Sequence, residues 1–127
     1  MERRFALGIA ILVLVLALAV GTAIGMKAIH APGETALSEA ANLALTGRFE
    51  QAVPLAQGAY QRWQKYRGIT AVFADHNPMD DTERLFREML VYAETGEQPH
   101  FAACCSQLSA MLKAMYETHG FSLKNML

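Results

Sequence analysis

Two patterns of apolar and polar positions divide the chain. From Phe5 to Met26 there are 22 consecutive residues without a charged side chain, so a helix there is apolar on every face. Beyond it, apolar residues return at steps of three and four, the spacing that places them on one side of a helix. Leu37, Ala40, Ala41, Ala44 and Leu45 form the first such stripe, and Thr46-Gly47 supplies a C-terminal glycine stop. Phe49, Ala52, Val53, Ala56, Ala59, Tyr60, Trp63, Tyr66, Thr70 and Phe73 form the second. Pro54 predicts that this helix restarts or bends near Val53, because a proline lacks the N–H a helix interior needs.

Asn77-Pro78-Met79-Asp80 reads as a helix start, with Asn77 as cap, Pro78 at the first helical position and Asp80 reaching back. Leu85, Met89 and Tyr92 follow on one face, flanked by Phe86 and Leu90, before Thr95-Gly96. A last stripe of Phe101, Cys104, Leu108, Met111, Leu112 and Met115 is expected to stop near His119-Gly120. Strand alternation and two-residue hairpin turns are missing. The reading is all-α: a single N-terminal transmembrane helix, then a small antiparallel bundle of two helical hairpins. Pro32-Gly33 is expected to break the chain between the two parts. The boundary falls at residues 1–27 for an anchor with a short stub and 28–127 for a helical domain.

The apolar run has the length of a membrane span. As a helix, 22 residues rise about 33 Å, against about 30 Å of hydrocarbon in a bilayer. A cleaved signal peptide shares its basic start and has Gly21-Thr22-Ala23 as a passable site, but signal cores are about 7–15 residues long and this one runs past that site. An uncleaved anchor in the lipid bilayer through Phe5–Met26 is therefore preferred. Arg3 and Arg4 precede the run and Lys27 alone follows closely. The positive-inside rule then sets the N-terminus in the cytoplasm and residues 28–127 outside the cell membrane. Gly21 and Gly25 form a small-xxx-small pair that would let two copies approach as a homo-oligomer, although glycine is simply common in spans.

Composition narrows the function classes. Of 127 residues, 53% are hydrophobic and 18% charged. Residues 28–127 carry eight Lys or Arg against eleven Asp or Glu, scattered along the chain. A basic stripe able to neutralise phosphates is not visible, which argues against nucleic acid as a partner. No polybasic run suggests anionic lipid headgroups either.

Candidate chemistry is thin. His76, Asp80 and Glu83 stand at metal-ligand steps, but a catalytic zinc needs three protein ligands and a structural one four, and one histidine with carboxylates makes a poor zinc cage. His76 near one helix C-terminus and Asp80 near the next N-terminus would equally complement the helix dipoles. Adjacent Cys104 and Cys105 point about 100° apart on a helix, so they cannot bridge each other easily and only one is expected to face the core fully. Trp63, Tyr60 and Tyr66 read as core or interface aromatics. A nucleophile elbow, a zinc-protease helix and a phosphate loop are all missing from the sequence, and no cofactor and no enzymatic activity are expected.

The order of features resembles one family. The helix with Phe49, Ala52 and Trp63, then His76-Asn77-Pro78-Met79-Asp80, Tyr92 ahead of Gly96, and the ending Leu123-Lys124-Asn125-Met126-Leu127, is similar over essentially the whole length to the bacterial family called domain of unknown function 4363. Two positions depart from it. Phe49 stands where that family has a tryptophan, and Asn77-Pro78 where it has an acidic residue between His and Asp. The resemblance implies a small membrane-anchored protein of mostly Gram-positive bacteria, with no activity attached. It singles out Trp63, His76, Asp80, Tyr92, Leu123, Asn125 and Leu127 as interaction or structural positions. The expectation is a protein-interaction module at the cell envelope that meets another membrane or envelope protein. The alternative is a small metal-binding or hydrolytic protein centred on His76 and Asp80. Finally, Phe121 to Leu127 is too apolar for a frayed terminus. It is expected to turn at Gly120 and pack back between helices through Leu123 and Leu127.

Overall fold

In the computed structural model the backbone of residues 2–73 and 76–126 is described, with the side chains of 2–72 and 77–117. Four helices account for nearly all of it: α1 (Glu2–Leu45), α2 (Phe49–Phe73), α3 (His76–Thr95) and α4 (Gln98–Met126). Strands are absent among the described residues. α1 packs most extensively on α4 and then on α2, α3 lies against α4, and α2 meets α3 only over a short stretch.

The two Thr-Gly turns close α1 and α3 as their sequences predict. Gly47 and Gly96 have φ of 80° and 71°, the left-handed region that glycine enters without a Cβ clash. The N–H of Arg48 reaches the carbonyl of Leu43 at 2.8 Å, and that of Glu97 the carbonyl of Tyr92 at 3.1 Å. These are the six-to-one bonds of a Schellman stop, and each satisfies a carbonyl that the helix end would leave free.

α1 is one helix of 44 residues, and Pro32 lies inside it. The expected break at Pro32-Gly33 does not occur. A proline at position 32 removes the hydrogen bond to the carbonyl of Ala28. α2 supplies the replacement: Arg62 donates through Nη2 to the Ala28 carbonyl at 3.1 Å and through Nε to the Ile29 carbonyl at 2.8 Å. Gly33 lets α4 come close, since a Cβ there would stand 3.3 Å from Leu112 Cδ1. The first half of α1 is exposed along its apolar length, and burial starts at Met26, continuing through His30, Gly33, Leu37, Ala40, Ala41 and Ala44. This repeat of three and four residues is the face that enters the bundle. Leu45, expected on that stripe, is 68% exposed, because the helix ends there.

The core is asymmetric in side-chain size. Apart from Leu37 and Trp63, α1 and α2 contribute alanines, Ala40, Ala41, Ala44, Ala52, Ala56 and Ala59, whereas α3 and α4 contribute Phe86, Met89, Phe101, Leu108 and Leu112 beside the smaller Ala102, Cys104 and Cys105. Small residues let α1 and α2 approach closely, and the large ones fill the space opposite. α2 runs unbroken through Pro54. Arg48 caps its start, its carbonyl accepting from the N–H groups of Gln51 and Ala52 at 3.1 Å each, so the proline costs a single bond close to the first turn.

Three further expectations change. In α3, Phe86 lies in the centre of the core and Leu85 at its edge, the reverse of the order predicted. In α4, Cys104 and Cys105 are both buried, because α4 is flanked by α1 on one side and α3 on the other. The helix also continues past Gly120 to Met126, so no turn forms there. A single glycine costs a helix only about 1 kcal/mol, too little to end it. The predicted packing of Leu123, Asn125 and Leu127 concerns side chains outside those described.

Candidate functional site

A carboxylate organises the junction of α2 and α3. Met79, Thr82, Glu83, Phe86 and Met89 share one face of α3, and Glu83 is the charged member of that apolar stripe. Its side chain is 14% exposed. Trp63 donates from Nε1 to Glu83 Oε2 at 2.6 Å, and the Tyr60 hydroxyl donates to Oε1 at 3.2 Å. Arg67 and Arg87 approach the same carboxylate at 3.6 Å each from the solvent side. Trp63 is itself sandwiched, stacked on Phe86 at a centroid distance of 5.9 Å and facing His30 at 6.0 Å. His30 continues the network across to α1. The Thr70 hydroxyl donates to the Tyr66 carbonyl at 2.8 Å, which leaves its oxygen to accept from His30 Nε2 at 3.0 Å.

Above this junction α2 and α3 part, and an open groove of about 530 Å³ lies between them. Gln57, Tyr60, Gln61 and Gln64 form its α2 wall, and Leu90 and Glu94 its α3 wall. Three amides at helical spacing offer paired donors and acceptors, set beside apolar side chains.

The residues expected to matter are dispersed. Trp63 lies in the core at 2% exposure and holds Glu83. His76 begins α3, three residues after α2 ends at Phe73; its side chain is outside those described. Asp80 is exposed on the second turn of α3. Because α3 starts one residue earlier than Asn77, its first turn carries no acidic residue. Tyr92 is half-buried, its ring 5.1 Å from that of His100. Glu83, the third member of the proposed metal set, is committed to Trp63 and Tyr60. The roles of Glu83 and Arg62 as structural centres are not evident from the sequence pattern alone. The available signals were a carboxylate inside a core stripe and a proline inside a helical pattern.

The thiols are held neutral. Burial pushes Cys105 up to about 12, helped by the neighbouring Cys104, and burial followed by Glu88 raises Cys104. A thiol reacts as its thiolate, so both are poor nucleophiles near neutral pH. Titration with a maleimide at pH 8 is therefore expected to modify neither cysteine until denaturant is added; fast modification of the folded chain would contradict their burial. The folded state keeps these protons where the unfolded chain releases them, so stability falls as pH rises from about 9. Tyr116 adds to this, raised to about 12 because its hydroxyl donates to Glu34.

The fold and its groove define a small helical bundle carried on a long helix whose exposed first half is apolar, with a mean hydropathy of 2.8 over its most apolar window. By length and composition that half can cross a membrane. The chain belongs to the family described as Domain of unknown function (DUF4363), whose family model matches residues 33–126. The match begins at Gly33, where α1 is already inside the bundle. Comparison with curated proteins and with solved structures finds no match to either.

Proposed function

We propose that the chain is a single-pass membrane protein whose helical bundle stands outside the cytoplasm and docks an envelope protein in the groove between α2 and α3. The groove itself carries the reading. It is open, about 530 Å³ in volume, and lined by three glutamine amides and the Glu94 carboxylate among apolar residues. Packing neither closes it nor makes it uniformly apolar, and exposed faces of paired helices are where such modules bind. The exposed apolar half of α1 supports the anchor, since a water-soluble chain would not present so long an apolar helix to solvent. Arg3 and Arg4 ahead of that half support the orientation.

One experiment tests location and docking together. Gln61→Cys, on the groove wall, and Ser38→Cys, exposed on α1, are each treated in intact cells with a membrane-impermeant, cysteine-directed cross-linker. The buried native thiols keep the background low. The expected result is reaction at both positions before lysis and capture of a discrete envelope protein from Gln61→Cys alone. Reaction only after lysis overturns the orientation. Equal capture from both positions, or none from the groove, overturns the docking site.

A further inference from the structure

A second groove lies lower on the molecule, where α2 comes down beside the apolar half of α1. Its volume is about 320 Å³, and it is lined by Leu18, Gly21, Thr22, Gly25 and Ile29 of α1, among others, with Ile69 of α2. Thr22 spends its hydroxyl proton inside α1, on the carbonyl of Leu18 at 2.8 Å, so it offers the groove little polarity. A Cβ built on Gly21 or Gly25 meets nothing within 4 Å, which means that the glycines leave space facing outward.

The rim of this groove is cationic. Arg62, Lys65, Tyr66 and Ile69 fall three, four and seven residues apart on α2 and therefore share one face. Ile69 lines the groove, so Lys65 and Arg62 stand one and two turns above it. Arg62 is fixed there by its bond to the carbonyl of Ile29, itself a lining residue, and two of its five N–H donors are used. The Arg62 guanidinium and the Lys65 ammonium lie 5.0 Å and 5.4 Å from the Tyr66 ring centroid. An aromatic ring with two cations, set just above an apolar slot on a spanning helix, is the arrangement found at the bilayer interface. The sequence hides it, because the two cations are more than thirty residues from the apolar run and belong to no polybasic stretch.

We infer that this groove holds one anionic phospholipid, its acyl chain lying along Gly21 and Gly25 and its phosphate meeting Arg62 and Lys65. The inference rests on the proposed span, since only a bilayer delivers a chain at that depth. Charge selects the occupant: a second copy of the apolar run would fill the slot but leave the two cations unanswered, whereas an anionic lipid satisfies both. The headgroup contacts are charge-assisted and pull the lipid to one site.

The full chain, purified in mild detergent, is offered phosphatidylglycerol or phosphatidylcholine with identical acyl chains, and bound lipid is counted by native mass spectrometry. One phosphatidylglycerol per chain is expected, retained at least about fivefold over phosphatidylcholine. Lys65→Glu, at an exposed position, is expected to abolish that preference. Gly25→Leu, which fills the slot, is expected to remove the lipid while leaving the oligomeric state unchanged. Equal retention of the two lipids, or retention that survives Gly25→Leu, overturns the inference. A Gly25→Leu chain that dissociates from dimer to monomer instead assigns the slot to a second copy and also overturns it. Failure of the span reading is seen separately. A fluorophore at Leu12→Cys in vesicles should be quenched by bromines on the acyl chains, and if it is not, the anchor itself is wrong.

Discussion

Glu83→Ala is expected to destabilise the folded bundle by about 2–3 kcal/mol, a large loss for a side chain at the edge of the core. The figure comes from what is left behind. Trp63 is 2% exposed, and its indole N–H has Glu83 as acceptor at 2.6 Å. Without the carboxylate that donor is buried and unpaired, which costs about 1–3 kcal/mol, and a hydrogen bond to a charged acceptor is lost as well. Arg67 and Arg87 are more than half exposed, so their ion pairs with Glu83 add little. Glu83→Gln keeps a carbonyl oxygen for Trp63 and should cost about half as much. The chain has a single tryptophan, so its emission follows unfolding at the site concerned. For a domain of about a hundred residues, the alanine variant should melt roughly 8–20 °C lower than the parent. A shift no larger than that of Glu83→Gln would show that the indole finds another acceptor, and that Glu83 does not hold α2 to α3.

The helices and their stops are legible in the sequence because they depend on local chemistry. Alanine stripes at steps of three and four mark the faces of α1 and α2, and Gly47 and Gly96 mark turns that other residues enter with strain. The uninterrupted apolar run likewise declares itself without reference to anything else. What the sequence conceals depends on partners far along the chain. Cys104 and Cys105 read as one inward and one outward residue until α4 is seen to have a neighbour on each side. Glu83 reads as a metal-ligand candidate with His76 and Asp80 until α2 brings Trp63 and Tyr60 to it from about twenty residues away. Both grooves lie between helices whose separation no periodicity encodes. The groove on α2 and α3 opens because these helices are pinned at Glu83 and Phe86 and diverge beyond, a property of tertiary packing alone.

Pro32 is the sharpest case, and it yields the other large effect. Local rules end a helix before a proline, since its ring clashes with the carbonyl four residues back and its nitrogen cannot donate. Here that carbonyl is Ala28, and Arg62 donates to it and to Ile29 from the neighbouring helix. The helix therefore passes through the proline because a guanidinium has replaced the missing N–H. A double-mutant cycle measures this replacement. Arg62→Ala is expected to cost about 2 kcal/mol when position 32 is proline, because the Ala28 and Ile29 carbonyls lose charged donors. Pro32→Ala restores the N–H and relieves the ring clash, so it should be neutral or stabilising, by up to about 3 kcal/mol on intrinsic helix preference. In the Pro32→Ala background, Arg62→Ala should then cost only about 1 kcal/mol, what remains being its bond to the Ile29 carbonyl and its contact with Tyr66. The coupling between the two positions is thus expected to reach about 1 kcal/mol, outside the additivity of unconnected sites. Urea unfolding of the four full-length chains, followed by Trp63 fluorescence, gives the cycle directly. Strict additivity would mean that Arg62 stabilises the bundle only by packing, and that α1 tolerates its proline by some other means.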